Sequence, residues 1–189
     1  QTGRTGQLTE RPERSGVKLF AIFGDPVAHS RSPLMHNHVF RSLGFKGCYT
    51  RVHLKDGSKL KETFFALGLS GANITVPHKE AAYKACDEIR GFASKVGVVN
   101  TIINENGRLI GYNTDADGFI YAIRPFGKIS SVLVLGAGGT SKALSTRFRD
   151  EEMEVTVLNR SEGRLEEALT LVFRAGEGAL LVAEELGLD

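Results

Sequence analysis

Residues 131–141 read SVLVLGAGGTS, and this stretch decides the fold. Ser131 to Leu135 is short, β-branched and apolar, as expected for a strand buried on both faces. Gly136, Ala137, Gly138, Gly139 and Thr140 follow at once, ahead of a helix expected over Ser141 to Arg149. Glycines at such a junction let the backbone approach a pyrophosphate at the helix N-terminus, where free N–H groups and the dipole favour an anion. The stretch departs from the usual dinucleotide fingerprint, because Ser141 stands where a third Gly or Ala is expected. Ala143 is available for the close helix packing instead. A tight turn that binds nothing is the alternative reading.

Downstream, Glu154 to Leu158 reads as the next strand, followed by a helix from Glu162 to Phe173 and a weak strand at Ala179 to Val182. The second strand decides the cofactor type. An NAD-preferring site places a carboxylate at its end for the ribose 2′-hydroxyl. Here Asn159, Arg160 and Ser161 stand there, with Arg164 beyond, and guanidinium groups pair well with phosphate oxygens. The reading is NADP over NAD; the bland alternative makes Arg160 and Arg164 solvated residues at a helix start.

Upstream, short β-rich runs alternate with helical stretches, which argues for βαβ units and a mostly parallel sheet. Strands are expected at Lys18 to Phe23, Tyr49 to Leu54 and Ala72 to Val76. Helices are expected from Ser32-Pro33 to about Leu43, with Ser32 as N-cap, at Ser58 to Leu67, and at His78 to Asp87. Gly97 to Asn104 and Arg108 to Tyr112 read as a hairpin around Asn106-Gly107. A helix from Asp115 to Ile123 leads to the boundary at Pro125-Phe126-Gly127.

The 189 residues are 41% hydrophobic and 24% charged, with 22 glycines, the make-up of a globular chain with a real core. The net charge of +2 is interspersed along the chain, which points to neither a nucleic-acid nor a membrane partner. Cys48 and Cys86 have no framework spacing and read as reduced thiols in a cytoplasmic protein. No apolar run approaches a bilayer span. Residues 1–16 are polar and read as a disordered lead-in; opening on Gln1 fits an excised piece, a processed product or a linker end.

Four polar segments stand out: His29-Ser30-Arg31-Ser32-Pro33; Asn73 to Lys79 (NITVPHK); Val99-Asn100-Thr101; and Asn113-Thr114-Asp115. Ligands of open α/β sheets sit beyond the C-terminal strand ends, and three of these segments fall at or near such places. Taken in order with the glycine stretch and the NRSxxR run, they closely resemble the shikimate dehydrogenase family, with its HSxSP, NxTxPxK, VNT and NTDxxG stretches. The resemblance runs from about Val17 to the end of the chain.

That resemblance implies reversible reduction of 3-dehydroshikimate to shikimate with NADPH, a step of aromatic amino-acid biosynthesis. It implies that Lys79 and Asp115 form the catalytic pair, and that Ser30 and Ser32 hold the substrate carboxylate. Asn73, Thr75, Asn100 and Thr101 are similar to the positions that contact the ring hydroxyls. From the residues alone, Ser32 is equally a helix cap, Ser30 a turn serine, Lys79 an exposed lysine, Asp115 an N-cap, and Thr75 and Thr101 β-formers. Among the histidines, His36 and His38 point to different sides of a helix, so no metal is expected.

The expected fold class is α/β, an N-terminal open, mostly parallel α/β substrate domain followed by a partial Rossmann-like NADP-binding domain. The expected divisions are a lead-in at 1–16, a substrate-binding and catalytic domain at 17–113, and at 114–189 a linking helix with the N-terminal part of a dinucleotide-binding domain. The family's chain continues further, so the sequence reads as truncated, with an apolar surface exposed and a homodimer as one outcome. Two alternatives stay open: the same scaffold acting on quinate or with relaxed cofactor use, and a non-catalytic ligand-binding fragment.

Overall fold

The computed structural model describes residues 16–159. Its larger sheet has six strands in the order β2-β1-β3-β5-β6-β4. The apolar β1 (Lys18–Gly24) lies between β2 (Gly47–His53) and β3 (Gly71–Ile74) and runs parallel to both. Its side chains alternate between faces, as the period of a strand requires. Ala21 and Phe23 join a core completed by Leu60 and Phe64 of α2 (Leu60–Ala66) and Ala82 of α3 (Lys79–Ala85). Ile22 and Phe20 turn the other way, to Tyr49 and to Phe40 of α1 (Ser32–Ser42).

The hairpin reverses direction inside this sheet. β5 (Thr101–Glu105) runs antiparallel to β3, and β6 (Arg108–Tyr112) antiparallel to β5. Asn106 at φ 54° and Gly107 at φ 85° make the turn, the positive-φ pair that a primed turn demands. Reversal matters for the site, because it brings the start of β5 beside the end of β3, with Asn73 opposite Thr101.

α5 (Asp115–Ile123) leads to a second sheet of two parallel strands, β7 (Ser131–Leu135) and β8 (Glu154–Leu158), joined by α6 (Gly139–Asp150). Ile120, Phe148, Val155 and Val157 form its core, and Phe119 meets Phe148 edge-on at 5.6 Å.

Several expectations need correction. β7 is not buried on both faces: Val132 and Val134 pack against that core, while Leu133 and Leu135 are 59% and 75% exposed, since α5 and α6 cover one side of this sheet among the described residues. Residues Gly97 to Asn100 are not strand. They follow a short helix, α4 (Phe92–Val96), that the sequence pattern does not announce, and Gly97 ends it in the left-handed conformation. The two-residue strand β4 (Glu88–Ile89) is also additional to the expected elements. β3 stops at Ile74, leaving Thr75 beyond the strand, where its carbonyl accepts the His78 N–H. Ser32 is the first residue of α1 instead of its cap; Arg31 occupies the cap position with no side-chain bond. Residues 1–15, Arg160, Ser161, Arg164 and the elements expected from Glu162 onward lie outside the described residues.

Candidate active site

All four polar segments gather at one edge of the six-stranded sheet. Ser30 and Ser32 follow β1, Lys79 follows β3 and opens α3, and Asp115 follows β6 and opens α5. Asn100 and Thr101 reach the same edge through the antiparallel β5.

At the centre, Lys79 Nζ donates to Asp115 Oδ2 at 2.5 Å and to Thr140 Oγ1 at 2.6 Å. The lysine side chain is 12% exposed and the aspartate 27%, so the pair faces the crevice from within. Asp115 is fixed from behind. Asn100, a buried residue, donates Nδ2 to Asp115 Oδ1 at 2.6 Å, while its Oδ1 accepts the Thr114 N–H and the Thr101 hydroxyl at 3.0 and 2.9 Å. Asn113 Oδ1 accepts the Asp115 N–H, and its Nδ2 donates to the Val98 carbonyl. A buried polar group without partners is costly; here each amide serves to hold the aspartate.

A second row of polar groups runs along the sheet edge. Asn73 Nδ2 donates to Thr101 Oγ1 at 3.2 Å, and Asn73 Oδ1 accepts from the Tyr49 hydroxyl at 2.7 Å. Burial pushes the Tyr49 phenol well above its ordinary range, which keeps it a donor. Its ring stacks on His36 at 4.4 Å, and Asn37 brackets its backbone with two hydrogen bonds. Ser30 and Ser32 meet at 3.2 Å through their hydroxyls, and Arg51 clamps the Ser30 carbonyl with Nε at 2.8 Å. Thr75 makes backbone hydrogen bonds with Phe23 and His78.

Opposite Lys79 lies the glycine turn. Gly136 adopts φ 103°, a conformation side chains rarely take, and its N–H donates to the Leu158 carbonyl at 2.6 Å. Asn159 follows Leu158 directly. A Cβ on Gly139 would come within 3.3 Å of Val98 and 3.6 Å of the Lys79 stem, so glycine allows the turn to approach the lysine. Between them is a cavity of about 220 Å³ lined by Lys79, Glu80, Gly138, Gly139, Thr140 and Lys142, among others. No cluster able to hold a metal is present among the described residues.

This arrangement has known relatives. Residues 22–102 match the family model described as the shikimate dehydrogenase substrate binding domain. Over this span the chain is similar to members of the shikimate dehydrogenase family. A curated family member named shikimate dehydrogenase (NADP(+)), from Helicobacter hepaticus, is 45% identical over 144 residues, covering 76% of this chain and 53% of the relative. The chain thus spans about half the length of the curated family members it matches. The solved shikimate dehydrogenase of Aquifex aeolicus superposes with a TM-score of 0.77 at 34% identity, covering 82% of this chain and 60% of that one. That of Thermus thermophilus, in complex with NADP(H) and shikimate, gives a TM-score of 0.72 at 38% identity, covering the same two shares.

Sequence reasoning groups Lys79, Asp115, Ser30, Ser32, Asn73, Thr75, Asn100 and Thr101 with the glycine turn; hydrogen bonds link Lys79, Asp115, Asn100, Thr101 and Asn73 to Thr140 of that turn, while Ser30 and Ser32 bond to each other and Ser30 to Arg51, and Thr75 bonds through its backbone to Phe23 and His78. It misses Tyr49, Arg51 and Lys142. The one available signal is for Lys142, a basic residue within the first turn after the glycines; Tyr49 reads simply as a β-former.

Proposed function

We propose that this chain carries the catalytic cleft of an NADP-dependent shikimate dehydrogenase, which reversibly reduces 3-dehydroshikimate to shikimate in aromatic amino-acid biosynthesis. The observation that carries the proposal is Lys79, joined at once to Asp115 and to Thr140 of the glycine turn. The turn suits a dinucleotide: a Cβ at Gly138 would stand in open space, and the first N–H groups of α6 have no partner within the helix. Bound there, NADPH would supply the hydride.

The chain's own residues would do the rest. Ser30 and Ser32 would receive the substrate carboxylate at the start of α1, and Asn73, Thr75, Asn100 and Thr101 would read the ring hydroxyls. Such donors discriminate against analogues that lack the hydroxyl. Lys79 would hydrogen-bond the reacting carbonyl and deliver the proton that must reach its oxygen, with Asp115 orienting the ammonium. Gly136, Ala137, Gly138, Gly139 and Thr140 would cradle the pyrophosphate, with Asn159, Arg160, Ser161 and Arg164 toward the 2′-phosphate.

Following NADPH absorbance with 3-dehydroshikimate as substrate tests this. Oxidation of NADPH with little use of NADH is the expected result, and equal use of NADH would overturn the cofactor assignment. Calorimetric shikimate binding with no turnover would instead favour a ligand-binding piece, the reading that the chain's span of its relatives makes specific.

A further inference from the structure

A series of hydrogen bonds runs one way through the site, and its direction is forced from one end. The Thr114 backbone N–H can only donate, and it donates to Asn100 Oδ1 at 3.0 Å, which leaves the Asn100 amide nitrogen for Asp115. The Thr101 hydroxyl must then donate to the same Asn100 oxygen, at 2.9 Å. With its proton committed there, Thr101 Oγ1 can only accept, and it accepts from Asn73 Nδ2 at 3.2 Å. The Asn73 nitrogen also reaches the Asn100 carbonyl, at a long 3.5 Å. Asn73 Oδ1 therefore faces the other way, and the Tyr49 hydroxyl, 2.7 Å from it, must donate.

Tyr49 is well placed to close this series. The residue is buried, its ring lies on His36, and Asn37 holds both its backbone N–H and its carbonyl. Burial keeps the phenol protonated and so a donor. Thus α1 fixes the ring on β2, and the ring fixes an amide on β3, with β1 between the two strands. Tyr49, Asn73 and Thr101 border one cavity of about 590 Å³, so the amide is within reach of a small molecule. The two ends of an amide have nearly the same shape and opposite hydrogen-bonding character. Turned over, Asn73 would present an acceptor where it now presents a donor.

We propose that Tyr49 is a positioning residue for substrate recognition, whose hydroxyl locks Asn73 in the orientation that offers an amide N–H to a ring hydroxyl of the substrate. This rests on the reading of Asn73 as a ring-hydroxyl contact. Tyr49 acts through Asn73: without the phenol hydroxyl, Asn73 Oδ1 loses its donor and the amide is free to turn.

Calorimetric binding of shikimate to the 189-residue chain tests this in a double-mutant cycle, with NADPH binding as the control. Tyr49→Phe keeps a ring on His36 and removes only the hydroxyl. It should weaken shikimate about 3- to 10-fold, the range for one lost neutral hydrogen bond, and leave NADPH within about twofold. Asn73→Ala should weaken shikimate at least as much. Adding Tyr49→Phe to Asn73→Ala should cause no further loss, whereas a merely structural role for the phenol would lower the affinity again. Among shikimate analogues each lacking one ring hydroxyl, one should bind the wild type and Tyr49→Phe equally. Unchanged affinity in Tyr49→Phe, or additive losses in the double variant, would overturn the proposal while leaving Asn73 as a substrate contact. Wild-type affinity in Asn73→Ala, or a wild-type chain that binds no shikimate, would overturn both.

Discussion

The Lys79 ammonium and the Thr140 hydroxyl, carried by helices that pack on two different sheets, meet at 2.6 Å. One side chain thereby touches the glycine turn and the Asp115 carboxylate together. Hydride transfer requires near-attack geometry between two bound molecules, and a lysine shared by both walls of the cleft is suited to set it.

Replacing Lys79 or Asp115 by alanine should lower kcat by roughly 10²- to 10⁴-fold with a smaller change in shikimate affinity. Steady-state rates beside calorimetric binding check this. An unchanged rate in either variant would remove that residue from the chemistry.

Asn100→Ala should destabilise the fold by about 1 kcal/mol, because it leaves Asp115 Oδ1 and the Thr114 N–H, both only partly buried, without their partner. Urea denaturation measures the loss. Asn100→Asp should lower the rate further than alanine does, by setting a second carboxylate against Asp115.

At Gly24 a Cβ would overlap Thr75 Cγ2 and sit 3.3 Å from the Val76 carbonyl. Gly24→Ala should therefore cost about 1–3 kcal/mol. Adding Thr75→Ser, which deletes the offending methyl, should recover much of it. Additive losses in this double-mutant cycle would show that the two positions do not press on each other.

Burial holds the His36 imidazole below its ordinary value near 6.5. The unfolded chain then binds the proton more readily, so the contribution of His36 to stability is full above pH 6.5 and is lost as the pH falls through the lowered value. Melting temperatures between about pH 8 and pH 5 should fall for the wild type and fall less for His36→Phe, which keeps a ring stacked on Tyr49. Equal slopes would contradict the assignment.

Much of this architecture is legible from local chemistry. Ser131 to Leu135, the glycines after it and the Asn106-Gly107 turn carry their conformations in adjacent residues, and each element stands where expected. Lys79 and Asp115 are joined in the sequence by motif order alone, since their 36-residue separation carries no contact signal of its own. What stays hidden depends on packing between distant segments. Tyr49 shows its role only when β2 and β3 flank β1 and its hydroxyl reaches Asn73. Phe92–Val96 is too short to display helical periodicity, and the open side of β7 is decided by what covers it, not by its own apolar residues.

The antiparallel hairpin makes the cleft answer to a loop at its far end. Thr101 looks toward Asn73 and Asn100, while its neighbour Ile102 is buried in the core. One residue inserted or deleted at Asn106-Gly107 that slipped β5 by a single step would exchange those two faces, presenting a hydrocarbon to the ligand and a hydroxyl to the interior. On the proposed reading of Thr101, loop length there is a hidden determinant of recognition, exerted from outside any distance a ligand could sense.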